Sequence, residues 1–283
     1  MDFAYNDEQK DIIKVVRDLV QKEIVPYAAE MDETGKLHEG LLEKLAAQGL
    51  LGVAIPEEFG GAGLDAITIA GVYEELAKGC GGVATTVAAN ALASYPVILA
   101  GNDDQKKRYF DVINEDNLAA FALTEPGTGS DAGSVSTRAT KTEDGKGYLL
   151  NGTKCFITNG GLAEIFVVFA NTRKTGGIRG LTPFIVRKGT PALPSVKKKI
   201  RWVSVRPTRR NSFLTTASFL LKTVSAAKAA VSVSLWQPSM LLVPSSVPFP
   251  SALPKLLSVL AVNTPRFAYS SVNRSHPSRW FRL

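Results

Sequence analysis

Along the first 115 residues apolar positions recur at helical spacing. Ile12, Ile13, Val16, Leu19, Val20 and Ile24 form one stripe, and recurrence at every third or fourth residue predicts an amphipathic helix. Its start is marked by Asn6 and Gln9, a capping-box pair, with Asp7 and Glu8 in the first turn. Leu41, Leu42, Leu45 and Ala46 give a second helix, with Gly49 placed to stop it. A loop, Ile55-Pro56-Glu57-Glu58-Phe59-Gly60-Gly61-Ala62-Gly63, follows, and further helices are expected over about 65–79, 82–100 and 103–114. Near residue 117 the period changes. Ala119–Leu123, Tyr148–Leu150, Lys154–Ile157, Ile165–Ala170 and Leu181–Val186 are short runs rich in β-branched or aromatic residues. Asp144-Gly145, Asn151-Gly152 and Asn159-Gly160-Gly161 are read as the turns between them. The pattern predicts an α+β protein: an all-helical domain over 1–115, then a β domain over 116–191.

Beyond residue 191 the local signals stop agreeing with one another. Apolar clusters such as Ala226–Val233 and Met240–Val243 carry no caps, no glycine stops and no spaced charge pairs. Composition sharpens the break. Residues 192–283 hold 14 bases, 9 of the 15 prolines and 16 serines, but no Asp, Glu or Gly. All 26 acids lie in residues 1–191, whose net charge is −7; the tail's is +14, and the total is +7. The basic balance is therefore a property of the tail alone. Lys197-Lys198-Lys199 and Arg209-Arg210 are not interleaved with aromatics for base stacking, so a nucleic-acid partner is not expected.

Cys80 and Cys155 lie far apart with no ligand spacing, so neither a disulfide framework nor a zinc site is expected. The opening Met1-Asp2-Phe3-Ala4-Tyr5 lacks the basic and apolar regions of a signal peptide, and no membrane span is expected, so a cytoplasmic location is the default.

The segment with most chemical content is Phe121-Ala122-Leu123-Thr124-Glu125-Pro126-Gly127-Thr128-Gly129-Ser130-Asp131. It follows the first strand, its glycines allow close backbone approach, and successive N–H groups in such a loop suit electron-rich oxygens. Gly127, Gly129 and Ala132 also match the G-x-G-x-x-A dinucleotide fingerprint. That fingerprint needs a helix to open there, whereas Gly133-Ser134-Val135-Ser136-Thr137 reads as strand, so a dinucleotide-binding βαβ unit is rejected. At hairpin distance, Phe156 and Thr158 alternate on one face of a strand. The pair could hold a planar ring by stacking plus a hydroxyl contact, or belong to an ordinary half-buried strand.

Taken together, these segments resemble the acyl-CoA dehydrogenase family, most closely its short-chain (butyryl-CoA) type, over about residues 1–191. The match includes the Met1-Asp2-Phe3 opening, the Ile55–Gly61 loop, Leu123–Asp131, Leu150–Asn159 and Gly180–Val186. The resemblance implies a helical domain, a middle β-barrel-like domain and a C-terminal four-helix domain, working as a homotetramer with noncovalent FAD. It implies that Phe121, Leu123, Thr124, Gly129, Ser130, Phe156, Ile157 and Thr158 line the flavin, and that Ser130 also contacts the acyl-CoA substrate. The implied reaction is α,β-dehydrogenation to a trans-2-enoyl-CoA, with electrons passed to an electron-transfer flavoprotein; the reverse, enoyl-CoA reduction, shares the chemistry. Phe156 stands where many members have tryptophan.

The family's catalytic base is a glutamate late in the C-terminal domain, and no acid follows Glu164. No catalytic residue is therefore assigned, and a non-catalytic flavin- or acyl-CoA-binding remnant is the competing reading. The genetic code suggests a cause. Trp202-Val203-Ser204-Val205 can be encoded TGG GTA TCC GTC, which after an A and one base earlier reads ATG GGT ATC CGT, the family's Met-Gly-Ile-Arg. Arg206–Leu221 and Tyr269–Arg274 yield family-like phrases by the same operation. From about residue 192 the chain thus reads as an out-of-frame translation, without native structure and without the four-helix domain.

Overall fold

A computed structural model describes residues 4–190, apart from 146 and 174–176, and the backbone of 197–200 and 215–227. Six helices come first. Helix α1 (Asp7–Leu19) starts on the expected capping box: Asn6 Oδ1 accepts from Gln9 N at 2.8 Å and Gln9 Oε1 accepts from Asn6 N at 3.0 Å. Its apolar stripe continues through a π-helical turn, Val20–Ile24, and a short 3-10 turn containing Pro26, so that Val20 and Ile24 both reach the core. Helix α2 (Ala28–Thr34), which the periodicity did not predict, ends at Gly35 in a left-handed conformation. Helix α3 (Leu41–Ala47) is bracketed by Gly40 and Gly49, both left-handed. Helix α4 (Ala66–Gly79) is capped by Asp65, whose carboxylate accepts from Ile67 N and Thr68 N. Helices α5 (Gly81–Ala100) and α6 (Asp103–Asn114) complete the domain, the latter on a second capping box, Asn102 with Gln105.

Helix α5 has no charged residue and 20 residues, long and apolar enough to cross a membrane by length and composition. In the fold it is the central core helix, touching α4, α6 and strand β1, with 61% of its most apolar window buried. The loop before α4 closes tightly: a Cβ on Gly61 would stand 2.1 Å from the carbonyl oxygen of Ile55, so only glycine fits there.

The chain then enters one sheet of seven described strands: β1 (Ala119–Ala122), β2 (Arg138–Lys141), β3 (Gly147–Thr158), β4 (Ile165–Asn171), β5 (Leu181–Arg187), β6 (Lys197–Ile200) and β7 (Thr215–Ala227). The order is β1-β4-β2-β3-β7-β6, with β5 also paired to β4. Strand β4 is buried at every residue and holds β1 in parallel and β5 antiparallel. β1 approaches β3, and β5 approaches β7, although neither pair is hydrogen-bonded, so the sheet curls over on itself.

Three expectations are corrected. Asn151-Gly152 is no turn: β3 runs through it, paired to β2 at Asn151 and to β7 at Gly152 across a register shift, and Gly152 lies so close to Thr137 that an added Cβ would stand 2.7 Å from its Cα. Residues 133–137 are not strand; Ala132–Ser134 is a 3-10 turn and the strand begins at Arg138. Within the tail, 197–200 and 215–227 are strands, β7 pairing antiparallel with β3. The rest of the tail, with Tyr269–Arg274 and most of Arg206–Leu221, lies outside the described residues.

Candidate functional site

The loop after β1 and the end of β3 meet through the backbone. Cys155 N donates to Thr124 O at 2.9 Å, which brings the two sequence motifs side by side. Glu125 and Thr128 exchange both backbone hydrogen bonds, at 3.0 and 3.1 Å, closing a tip of Pro126 and Gly127. Pro126, Gly127, Gly129 and Ser130 are exposed, while Phe121, Leu123 and Thr124 are half-buried behind them. Phe121 also packs against Phe169, ring centroids 4.9 Å apart.

Strand β3 carries a bulge between Lys154 and Ile157 in its pairing with β7. Phe156 sits in that bulge with φ of 57°, a conformation unusual for an aromatic residue, and is 43% exposed. The register shift turns Lys154 and Cys155 both inward and Phe156 out. Thr158, two residues on, is half-buried, and Ile157 between them is closed off in the core at 1% exposure. Of the predicted lining residues, Ile157 can therefore offer a ligand its backbone only.

Gly127 and Gly129 leave room for a ligand to approach the loop backbone. Neither has a left-handed backbone, and among the described residues no atom lies within 4 Å of where a Cβ would stand. The protein's own packing gives no reason for the missing side chains. Open space in front of a fixed loop, two half-buried threonines and a protruding aromatic ring suit a flat, polar-edged ligand that approaches the backbone closely. These residues fit a flavin. The 3-10 turn at 132–134 is too short to be the helix a dinucleotide fingerprint requires.

Beneath the tip lies a group that sequence reasoning placed in the loop but gave no role. Glu125 is buried, and its side chain forms an ion pair with Lys154 at 2.8 Å, the lysine side chain being 0% exposed. Burial alone would raise the Glu125 carboxyl; hydrogen bonds from Lys154, Ser136 and Thr137 outweigh it and hold the pKa at about 2. Burial pulls the Lys154 ammonium down, against the opposing pull of Glu125. A carboxylate so stabilised and enclosed is ill suited to act as a general base near neutral pH. The signal that could have found the pair is Lys154 inside an apolar strand; strict alternation would have put it beside Phe156, and only the bulge separates them.

Elsewhere, a recess of about 470 Å³ lies between Glu58–Gly60 and α6, lined by Asp103, Asp104, Lys107 and Asp111 among others. It belongs to the helical domain and shares no residue with the loop. No group of three or more potential metal ligands occurs among the described residues.

Comparison with known proteins follows the same division. The family model for the acyl-CoA dehydrogenase N-terminal domain matches residues 6–115, and that for the middle domain matches residues 120–211. The second match crosses the composition break at 192. A short-chain-specific acyl-CoA dehydrogenase of Megasphaera elsdenii is 40% identical over 204 residues, covering 70% of this chain and 53% of that protein. The solved butyryl-CoA dehydrogenase from Megasphaera elsdenii superposes with a TM-score of 0.72 at 35% identity, over 81% of this chain and 59% of the other. An acyl-CoA dehydrogenase from Bacillus anthracis, solved in complex with FAD, gives 0.69 at 32% identity, over 80% and 38%. The chain spans about half the length of the curated relatives it matches.

Proposed function

Because this chain belongs to the acyl-CoA dehydrogenase family, we propose that its loop 121–130 and strand segment 156–158 form the flavin-facing part of an enzyme acting on short-chain acyl-CoA. The observation that carries this reading is the pair Gly127 and Gly129, whose bare backbones face open space beside an exposed Phe156. Phe156 supplies a ring face, Thr124 and Thr158 supply hydroxyls, and the loop's N–H groups supply donors. Phe121 and Leu123 close the apolar side, and Ile157 contributes its backbone. Ser130, exposed at the end of the loop, would contact the acyl-CoA substrate.

A bound flavin would supply a hydride acceptor for the substrate's β carbon. What the protein must add is removal of the α proton, made acidic by a hydrogen-bonded thioester carbonyl. These 283 residues hold no acid beyond Glu164, and Glu125 is committed to Lys154. We therefore assign binding and orientation to this chain, and no base. Electrons would leave to an electron-transfer flavoprotein, or arrive from one if the enzyme runs as an enoyl-CoA reductase. The absence of acids after Glu164 favours a second reading for the chain as it stands, a flavin- or acyl-CoA-binding protein without turnover.

The same absence supports an out-of-frame tail. The composition break supports a junction near residue 192, although the likeness to the middle domain runs on to 211. The gene's nucleotide sequence decides this: the proposal predicts family phrases in the neighbouring frame, and a sequence unable to encode them there refutes it. The flavin reading is tested by titrating the purified chain with FAD and following flavin fluorescence. Weak, saturable quenching is expected, and it should weaken further in Phe156→Ala. Quenching that is identical in that variant would refute the assignment.

A further inference from the structure

We propose that the buried Glu125–Lys154 pair is a positioning clamp that fixes the Pro126-Gly127 tip on strand β3, and with it the groups of Thr124 and Phe156. What the tip is held toward rests on the flavin reading; the clamp itself does not.

Three consecutive residues of the loop are gripped by two consecutive residues of the strand. Lys154 Nζ donates to Leu123 O at 2.9 Å, Cys155 N donates to Thr124 O at 2.9 Å, and Lys154 Nζ donates to Glu125 Oε1 at 2.8 Å. The ammonium thus bridges the main chain before Thr124 and the side chain after it. On its other side the carboxylate is held by the segment leading into β2. Glu125 Oε2 accepts from Ser136 N at 2.8 Å and Ser136 Oγ at 2.5 Å, and Oε1 accepts from Thr137 N at 3.0 Å and from Thr137 Oγ1. Thr128, at the far foot of the tip, donates from Oγ1 to Ser134 O at 2.9 Å. Both feet of the tip are therefore bonded to the framework while its crown, Pro126 and Gly127, is exposed.

The chemistry explains why the pair is charged. A buried ion pair adds little net stability over an apolar pair of the same size, because desolvation offsets the attraction. Its gain is geometric: directional bonds of ionised groups admit one arrangement where apolar contact admits many. A loop that must present bare backbone to a ligand has few side chains of its own to lock it. The anchoring has to come from below, and Glu125 at one foot and Thr128 at the other are the loop residues that reach there.

The test is hydrogen exchange by mass spectrometry on the full chain, with urea unfolding and FAD titration alongside. The variants are Glu125→Gln, Lys154→Met and the double variant Glu125→Gln/Lys154→Met, which restores neutrality without the bonds of Lys154. The clamp predicts exchange in 121–130 about tenfold faster in all three variants, relative to strand β4 in the same molecule. It also predicts that the double variant recovers its urea midpoint but not slow loop exchange. FAD affinity should fall by about tenfold in the double variant, a loss the unfolding midpoint does not share. Recovery of slow loop exchange together with the midpoint would overturn the clamp, since charge balance alone would then suffice. So would faster exchange spread equally over all segments. If the variants loosen the loop while the wild type binds no FAD, the clamp stands and the flavin reading falls.

Discussion

Gly127 and Gly129 separate binding from folding at the scale of single residues. Gly127→Ala and Gly129→Ala should leave unfolding of the ligand-free chain within about 0.5 kcal/mol of wild type, as surface substitutions do, while FAD titration shows weaker binding. Gly152→Ala is the control in the opposite sense. Its Cβ would press on Thr137 backbone, with Thr137 Cα at 2.7 Å, and unfolding should shift to lower urea whatever the ligand. Glu125 makes a pH prediction. Its carboxyl lies at about 2 in the fold against an ordinary value of 4.5. A depressed group contributes stability that is complete above its unfolded value and is lost as pH falls through its folded value. Urea midpoints should therefore fall between about pH 5 and pH 2, and Glu125→Gln should remove part of that fall while costing about 3–5 kcal/mol near neutrality through the stranded Lys154 charge. The motif residues themselves were legible in the sequence. Their support was not, because the bulge that turns Lys154 under the loop depends on pairing with β7, which no local pattern reveals.

Among the elements, α5 and β1 are the junction that sets where the loop begins. Two buried asparagines take both backbone groups of Ala119. Asn90 Oδ1 accepts from Ala119 N, and Asn159 Nδ2 donates to Ala119 O at 3.1 Å and to Thr86 O at 2.9 Å. Asn90 Nδ2 also donates to Leu51 O at 2.8 Å, tying the helical domain to the same point. Asn90→Ala strands both a buried N–H and a buried carbonyl, and should destabilise by about 2–5 kcal/mol, read by urea unfolding. Asn6→Ala removes a solvent-facing cap and should cost only about 1 kcal/mol. Helices α1, α3, α4, α5 and α6 were legible from apolar spacing with caps or glycine stops, whereas the short α2 was not. The bounds of β2 and the continuation of β3 were not, since Asn151-Gly152 has the local chemistry of a turn and it is pairing with β2 at Asn151 and with β7 at Gly152 that keeps it extended.

For the whole molecule, the charge division at residue 192 matters more than the total of +7. The acidic front contains a helical domain, most of a curled sheet and the loop to which we assign flavin binding. The acid-free remainder supplies backbone to that sheet at β6 and β7. Pairing of this kind uses main-chain groups that every residue except proline carries in full, so a strand there says little about whether the tail's sequence was selected. What the chain lacks is an acid beyond Glu164, the region where the family resemblance puts the catalytic base, and Glu125 in the loop is paired with Lys154. The most direct measurement is anaerobic addition of butyryl-CoA to the purified 283-residue chain loaded with FAD, following the visible flavin band. The account predicts that the band persists. Bleaching of the flavin by butyryl-CoA would contradict it, because some group in this chain would then be serving as the base.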